Sequence, residues 1–131
     1  MDQTYKPWTR AQAIKLINKI EAGSKKYNIT TALGGSVLLK GKSDKDLDII
    51  LYPYKTGIIK QQEFFDWICC EFVIFLVAVV DHRDQGDNKL VYICHYFDRK
   101  QNKRRIDFII PNLQIEDRIQ EVKVWKTKKK K

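Results

Sequence analysis

Residues 29–53 read ITTALGGSVLLKGKSDKDLDIILYP, and their pattern decides the fold. Ile29 to Leu33 is a short β-branched and apolar run that stops at Gly34-Gly35, so it predicts a strand closed by a glycine turn. Ser36-Val37-Leu38-Leu39 then starts a helix of one or two turns. Asp46 to Tyr52 alternates with a period of two: Asp46, Asp48 and Ile50 share one face, Leu47, Ile49 and Leu51 the other, and Pro53 follows. This predicts a strand with one polar and one apolar face. Between the two strands, Ser43 and Asp44 read as turn residues.

Upstream, residues 9–22 predict an amphipathic helix. Ala13, Leu16, Ile17 and Ile20 recur at i, i+3, i+4 and i+7, Thr9 and Gln12 have capping-box spacing, and Gly23 supplies a stop. Downstream, residues 59–71 predict a second helix around Ile59, Phe64, Trp67 and Ile68. Phe72 to Val80 is a nearly continuous apolar run, expected to be a strand buried on both faces. A polar loop from Asp81 to Asn88 follows. Lys89 to Phe97 and Arg104 to Ile110 predict a hairpin joined by residues 98–103, with Pro111 ending its second strand. Gln114 to Trp125 predicts a short terminal helix. The expected class is α/β (α+β): a mixed sheet of about five strands flanked by helices, forming one domain over residues 1–125.

The composition fits that expectation. A chain of 131 residues, 44% hydrophobic and 31% charged, can bury a core without staples. No run of about eighteen apolar residues is present, which argues against a membrane protein. Cys69, Cys70 and Cys94 form no spaced framework, so free buried thiols, no disulfide and a reducing, cytoplasmic setting are expected. The formal charge is +9, but six lysines within residues 123–131 face no acid there, and without them the chain carries +3. Residues 126–131 are therefore expected to be an unstructured basic tail able to touch phosphates.

The residues that carry chemistry lie in the opening stretch and in one later strand. Glycines at a strand end let backbone approach a ligand, and Ser36 at a helix start adds a hydroxyl to free N–H groups, a combination suited to phosphate. Taken alone, a Gly-Gly-Ser most often only makes a turn. Asp46 and Asp48, at i and i+2 of a strand, place Cα atoms roughly 6.5–7 Å apart on one face. They can flank one divalent cation or grip two ions. Asp107, set among Ile106, Phe108, Ile109 and Ile110, is an acid in mid-strand that needs compensation. A metal shared with Asp46 and Asp48 would supply it, and pairing with Arg104 or Arg105 is the competing explanation. Asp81 and Asp98, at predicted strand ends, are the fallback third carboxylates. Lys40, Lys42 and Lys45 are candidates for neutralising phosphates.

Together, apolar-Gly-Gly-Ser, Asp-x-Asp between apolar residues and a later strand Asp resemble the DNA polymerase β-type nucleotidyltransferase superfamily. The resemblance covers residues 29–53 directly and 104–110 more loosely. It implies a palm-like sheet in which Gly34, Gly35, Ser36 and Lys45 hold a nucleoside triphosphate such as ATP. Asp46, Asp48 and Asp107 would bind two magnesium ions, replaceable by manganese, with Asp107 also helping to activate the attacking hydroxyl. The implied reaction transfers a nucleoside monophosphate to an acceptor hydroxyl with loss of pyrophosphate. A nucleic-acid 3′ end is the favoured acceptor because the hairpin, residues 98–105, and the tail, residues 126–131, are basic.

Two other readings accompany it. The chain is similar in size to minimal nucleotidyltransferases of toxin–antitoxin pairs, which would make a partner protein the acceptor of AMP. A non-catalytic nucleotide or nucleic-acid binding module is the third. Larger members of the superfamily carry further domains, so acceptor recognition is expected from oligomerisation, a partner chain or the tail. No Cys-x-x-Cys, His pair, Walker-type loop or hydrolase elbow is present, and His82 and His95 read as ordinary surface or strand residues. Tyr92, Tyr96 and Phe97 beside Arg99, Lys100, Lys103, Arg104 and Arg105 read either as a strand-binding surface or, more often, as sheet core plus a solvated hairpin tip.

Overall fold

The computed structural model describes residues 5–43, 46–82 and 89–111. Strand β1 (Trp8–Thr9) leads into helix α1 (Arg10–Ser24), and strand β2 (Ile29–Gly34) runs directly into the short helix α2 (Gly35–Lys40). Strands β3 (Lys42–Ser43) and β4 (Asp46–Pro53), helix α3 (Gln61–Glu71) and strands β5 (Ile74–Asp81), β6 (Lys89–Phe97) and β7 (Lys103–Pro111) follow. Five strands form one mixed sheet in the order β2-β4-β7-β6-β5; β4 and β7 are parallel and the other pairs antiparallel. The fold is α/β with a five-stranded mixed sheet, as expected. Among the described residues no helix is long and apolar enough to cross a membrane.

Period-two alternation sorts the sheet into two unlike faces. Leu47, Ile49 and Leu51 of β4, Ile106, Phe108 and Ile110 of β7 and Leu90, Tyr92 and Cys94 of β6 are buried in one cluster with Ala13, Leu16 and Ile20 of α1 and Phe64, Phe65 and Ile68 of α3. The helices therefore cover one face. Phe65 stacks on Tyr92 at 4.2 Å between ring centroids and meets Phe108 edge-on, which seats α3 over the sheet centre. The opposite face carries Asp46, Asp48 and Asp107.

Several local expectations need correction. Gly23 does not stop α1; it lies inside the helix, where a Cβ would come within 2.5 Å of the Trp67 ring. The helix passes through a 3-10 turn (Lys25–Tyr27) to Asn28, whose left-handed φ of 60° makes the break. Helix α3 starts at Gln61 rather than residue 59, although Ile59 is buried just ahead of it. Strand β5 is not buried on both faces: it is an edge strand with Phe75 and Val77 half-exposed and a bulge between Leu76 and Ala78. Pro111 closes β7 from inside it. None of the three cysteines forms a disulfide, but Cys94 alone is buried and Cys70 is exposed. The helix expected at residues 114–125, the tail at 126–131, Gly86, Asp44 and Lys45 lie outside the described residues.

The other edge strand, β2, is secured by Glu21 of α1. One carboxylate oxygen accepts from the Thr31 N–H at 2.8 Å and the Thr31 hydroxyl at 2.7 Å, and the other from the Thr30 hydroxyl at 2.8 Å, with Lys25 Nζ at 3.1 Å. Burial pushes this carboxyl up, but the bonds from Thr31, Thr30 and Lys25 outweigh it and bring its pKa from 4.5 down to about 2. Because the folded value is depressed, the stabilisation is fully present above pH 4.5 and is lost as pH falls toward 2. Glu21→Gln should cost about 1–2 kcal/mol at pH 7 and flatten the acid limb of stability, as measured by urea unfolding between pH 2 and 7.

Candidate metal centre

The acids meet because β4 and β7 are adjacent and parallel. Their register places Asp48 opposite Asp107 and Asp46 opposite Arg105. All three acids face away from α1 and α3, and one carboxylate oxygen from each lies within 4.8 Å of the others. Asp107 is therefore the third carboxylate. The two fallbacks are elsewhere. Asp81 ends β5 opposite Leu90. Asp98 braces the hairpin turn, accepting from the Lys100 and Asn102 N–H groups at 2.9 Å and pairing with Arg104 at 3.1 Å. Against the upward push of burial, the bonds from Asn102, Arg104 and Lys100 hold the Asp98 carboxyl below its usual range.

The glycine turn between β2 and α2 presses on this cluster. Gly34 is extended and pairs with Asp48 across the sheet. Gly35 has φ +65°, and a Cβ placed there would sit 2.1 Å from Asp48 Oδ2 and 2.9 Å from its Cγ. The carboxylate thus lies against bare backbone at the start of α2, an approach that only glycine permits. Helix α2 closes at Gly41, whose φ is +82° and whose N–H bonds to Val37 O. Arg10 fixes this end of the segment, its N–H donating to Gly41 O at 2.9 Å and its guanidinium to Leu38 O at 3.0 Å. The two-stranded β1–β3 ladder adds Trp8 opposite Ser43 and Thr9 opposite Lys42. The segment leading to the acids is therefore tied to α1 at both backbone and side-chain level.

Arg105 is the fourth member of the centre. Its Nε and NH2 groups donate to the two oxygens of Asp107 at 2.8 and 3.0 Å, and Nε lies 3.9 Å from Asp46 Oδ2. The side-chain hydrogen bond with Asp107 raises the Arg105 pKa further, against burial and with the charges of Asp107, Asp46 and Tyr5. The arginine pairing weighed from sequence for Asp107 is formed, with Arg105, and Asp107 also joins the acidic cluster. Three ionised carboxylates against one guanidinium leave two negative charges, a match for one divalent cation without displacement of Arg105. A second ion would have to compete with Arg105 for Asp107.

The electrostatics are those of crowded carboxylates that one guanidinium only partly offsets. Asp48 is pushed from 3.8 up to about 6, first by burial and then by the charges of Asp46 and Asp107, with Arg105 and Lys89 opposing. The donor set, carboxylate oxygens alone, suits a hard ion such as Mg2+ or Mn2+ rather than zinc. Acid cluster, half-buried Asp48 and glycine cradle all fit such an ion. Arg105→Gln should destabilise the cation-free protein by about 2–3 kcal/mol, because it strands the buried Asp107 beside two like charges. Millimolar Mg2+ should restore most of that loss in urea unfolding, whereas equal stability with and without the ion would count against the centre.

Other sequence candidates fall differently. Of Ser36 only the backbone is described, and Lys45 is outside the described residues; Lys40 and Lys42 are exposed. In the hairpin, Tyr92 is core and Arg104 is buried against Asp98, so neither is offered to a nucleic-acid strand. Exposed Arg99 and Lys100 and half-buried Tyr96, Phe97 and Lys103 remain. One feature had no sequence signal: Tyr5 Oη and His95 Nε2 share a 2.7 Å hydrogen bond, with His95 opposite Arg105 in register. Burial, then Lys103 and Arg105, lowers the His95 pKa. In comparisons with models of known protein families and with curated proteins, the chain matches none, so the functional reading stands on this geometry and its resemblance.

Proposed function

We propose that the chain is a divalent-metal-dependent nucleotidyltransferase that joins a nucleoside monophosphate to an acceptor hydroxyl. The observation that carries this reading is the parallel register of Asp48 and Asp107, with Asp46 in the same cluster, directly against Gly35. Asp46, Asp48 and Asp107 would hold magnesium or manganese. When bound, the ion supplies charge stabilisation for the oxygens of the reacting phosphate. The chain's own residues do the rest. Arg105 fixes the orientation of Asp107, and the backbone of the Gly34–Ser36 turn would take the triphosphate oxygens.

In the reaction, the acceptor oxygen forms a bond to the α-phosphorus, the bond from that phosphorus to the bridging oxygen of pyrophosphate breaks, and the hydroxyl proton passes toward Asp107 or solvent. With a pKa near 6, Asp48 must lose its proton before it can serve as a ligand, so ion affinity falls as pH drops through 6. A nucleic-acid 3′ hydroxyl is our preferred acceptor, supported by the basic hairpin tip and the C-terminal lysines.

The test is transfer of label from each ribonucleoside triphosphate, marked at the α-phosphate, to a pool of RNA, DNA and protein with Mg2+, using wild type and Asp48→Asn. Label dependent on Asp48 and sensitive to nuclease supports the reading. Protease-sensitive label would instead make a protein the acceptor. Binding of nucleotide without ion uptake or transfer would replace the enzyme with a binding module.

A further inference from the structure

A cavity of about 470 Å³ opens on the helical side of the sheet, between α1, the end of β6 and the hairpin turn that follows. It lies across the sheet from the acidic centre. Adjacent residues of β7 report this directly, since Arg104 lines the cavity while Arg105 reaches Asp107 on the other face. Lys15 and Lys19, one turn apart on the same stripe of α1, form one wall, and Arg99 and Lys100 of the turn form another. The floor is apolar, with Trp8 and Leu16 almost fully buried beneath the opening.

The charge here is unbalanced. Asp98 is the one carboxylate of the lining, and it is already held by Arg104 and by the N–H groups of Lys100 and Asn102. Among the described residues, Lys15, Lys19, Arg99 and Lys100 enter no ion pair. Like charges one helical turn apart repel, so Lys15 and Lys19 are better accommodated with an anion between them. The volume falls in the range of small-molecule sites and is generous for a single inorganic anion.

We propose that this cavity is a second binding site, for the phosphate groups of a nucleotide-sized ligand, whether a free nucleoside polyphosphate or one unit of a nucleic-acid strand. Guanidinium and ammonium groups lining one cavity suit several phosphate oxygens at once. No acid of the metal centre contributes to the site; Arg99 and Lys100 belong to the hairpin tip that supports the preferred acceptor, so the nucleic-acid form of the ligand rests on that reading.

The experiment uses the full chain in chelator, so that the acidic centre holds no divalent ion, and titrates tripolyphosphate by calorimetry. Saturable binding is expected. It should weaken roughly tenfold or more in Lys15→Ala/Lys19→Ala and in Arg99→Ala/Lys100→Ala, all four positions being exposed and outside the core. Asp48→Asn should leave it intact, which separates this site from the proposed reaction. A single-stranded oligonucleotide that displaces tripolyphosphate identifies a strand as the ligand, and one that does not assigns the site to free nucleotide. No saturable binding to wild type, or equal binding to both double variants, overturns the proposal.

Discussion

Asp48→Asn should lower nucleotidyl transfer by about 10³-fold or more while making the cation-free protein more stable. The two effects share one cause. In the folded state Asp48 is held near pKa 6 by burial and by Asp46 and Asp107, against an ordinary 3.8. A raised carboxylate favours the folded state only while protonated, so its contribution is present below pH 4 and is lost as pH rises through 6. At pH 7 the wild type carries the full repulsion and the amide does not. Allowing for solvent screening at a half-buried site, the gain is about 1–2 kcal/mol. Urea unfolding in chelator at pH 4 and pH 7 reads it: the wild type should lose stability between the two, relative to the variant. A variant that still transfers label, or that is less stable than wild type at pH 7, would sink both the centre and the proposed reaction.

Gly35→Ala is expected to be the most damaging glycine-to-alanine change among the described residues. Its Cβ would stand 2.1 Å from Asp48 Oδ2, and the φ of +65° is itself unfavourable for alanine. Backbone strain and the displaced carboxylate together should cost about 2–4 kcal/mol and abolish ion binding. Gly41→Ala separates the two contributions. It shares a positive φ, +82°, but its nearest neighbours would be guanidinium atoms of Arg10 at 3.7 Å, an ordinary contact. That variant should lose about 1–2 kcal/mol and bind the ion normally. Magnesium titration of the two proteins, followed by the shift in thermal midpoint, makes the comparison. Equal ion binding by both would show that the close approach of Gly35 has no role in the centre.

How much was legible in the sequence depended on whether a residue's neighbours were local. The alternation of Asp46 to Leu51 fixes which side chains are buried, and the structure buries Leu47, Ile49 and Leu51. Thr9 and Gln12 were readable as a capping box because both partners lie within one turn, and both bonds form. Strand β5 was misread because an apolar run such as Ile74 to Val80 has no alternation to show which face is solvated. Exposure there is decided by its position at the sheet edge. Gly23 was misread because its reason for being glycine is the ring of Trp67, distant in sequence.

The acidic centre was legible as a set of residue types, and Asp107 stood out as an acid among apolar strand neighbours. Its pairing with Asp48 follows from strand order, which periodicity does not encode. The same applies to the simultaneous arginine contact and to the Tyr5–His95 bond, made between segments at opposite ends of the described chain.

Strand β7 is the last described strand in the chain and the middle strand of the sheet. During synthesis β4 and β6 leave the ribosome with the edges that will flank it still open, and a nascent chain that stops before residue 103 leaves that gap unfilled. Such a chain has Asp46 and Asp48 but neither Asp107 nor the guanidinium that offsets the cluster. The centre comes into being with the step that closes the sheet, so chains truncated there lack both halves of the architecture at once. Insertion of β7 thereby couples completion of the sheet to assembly of the three-acid cluster.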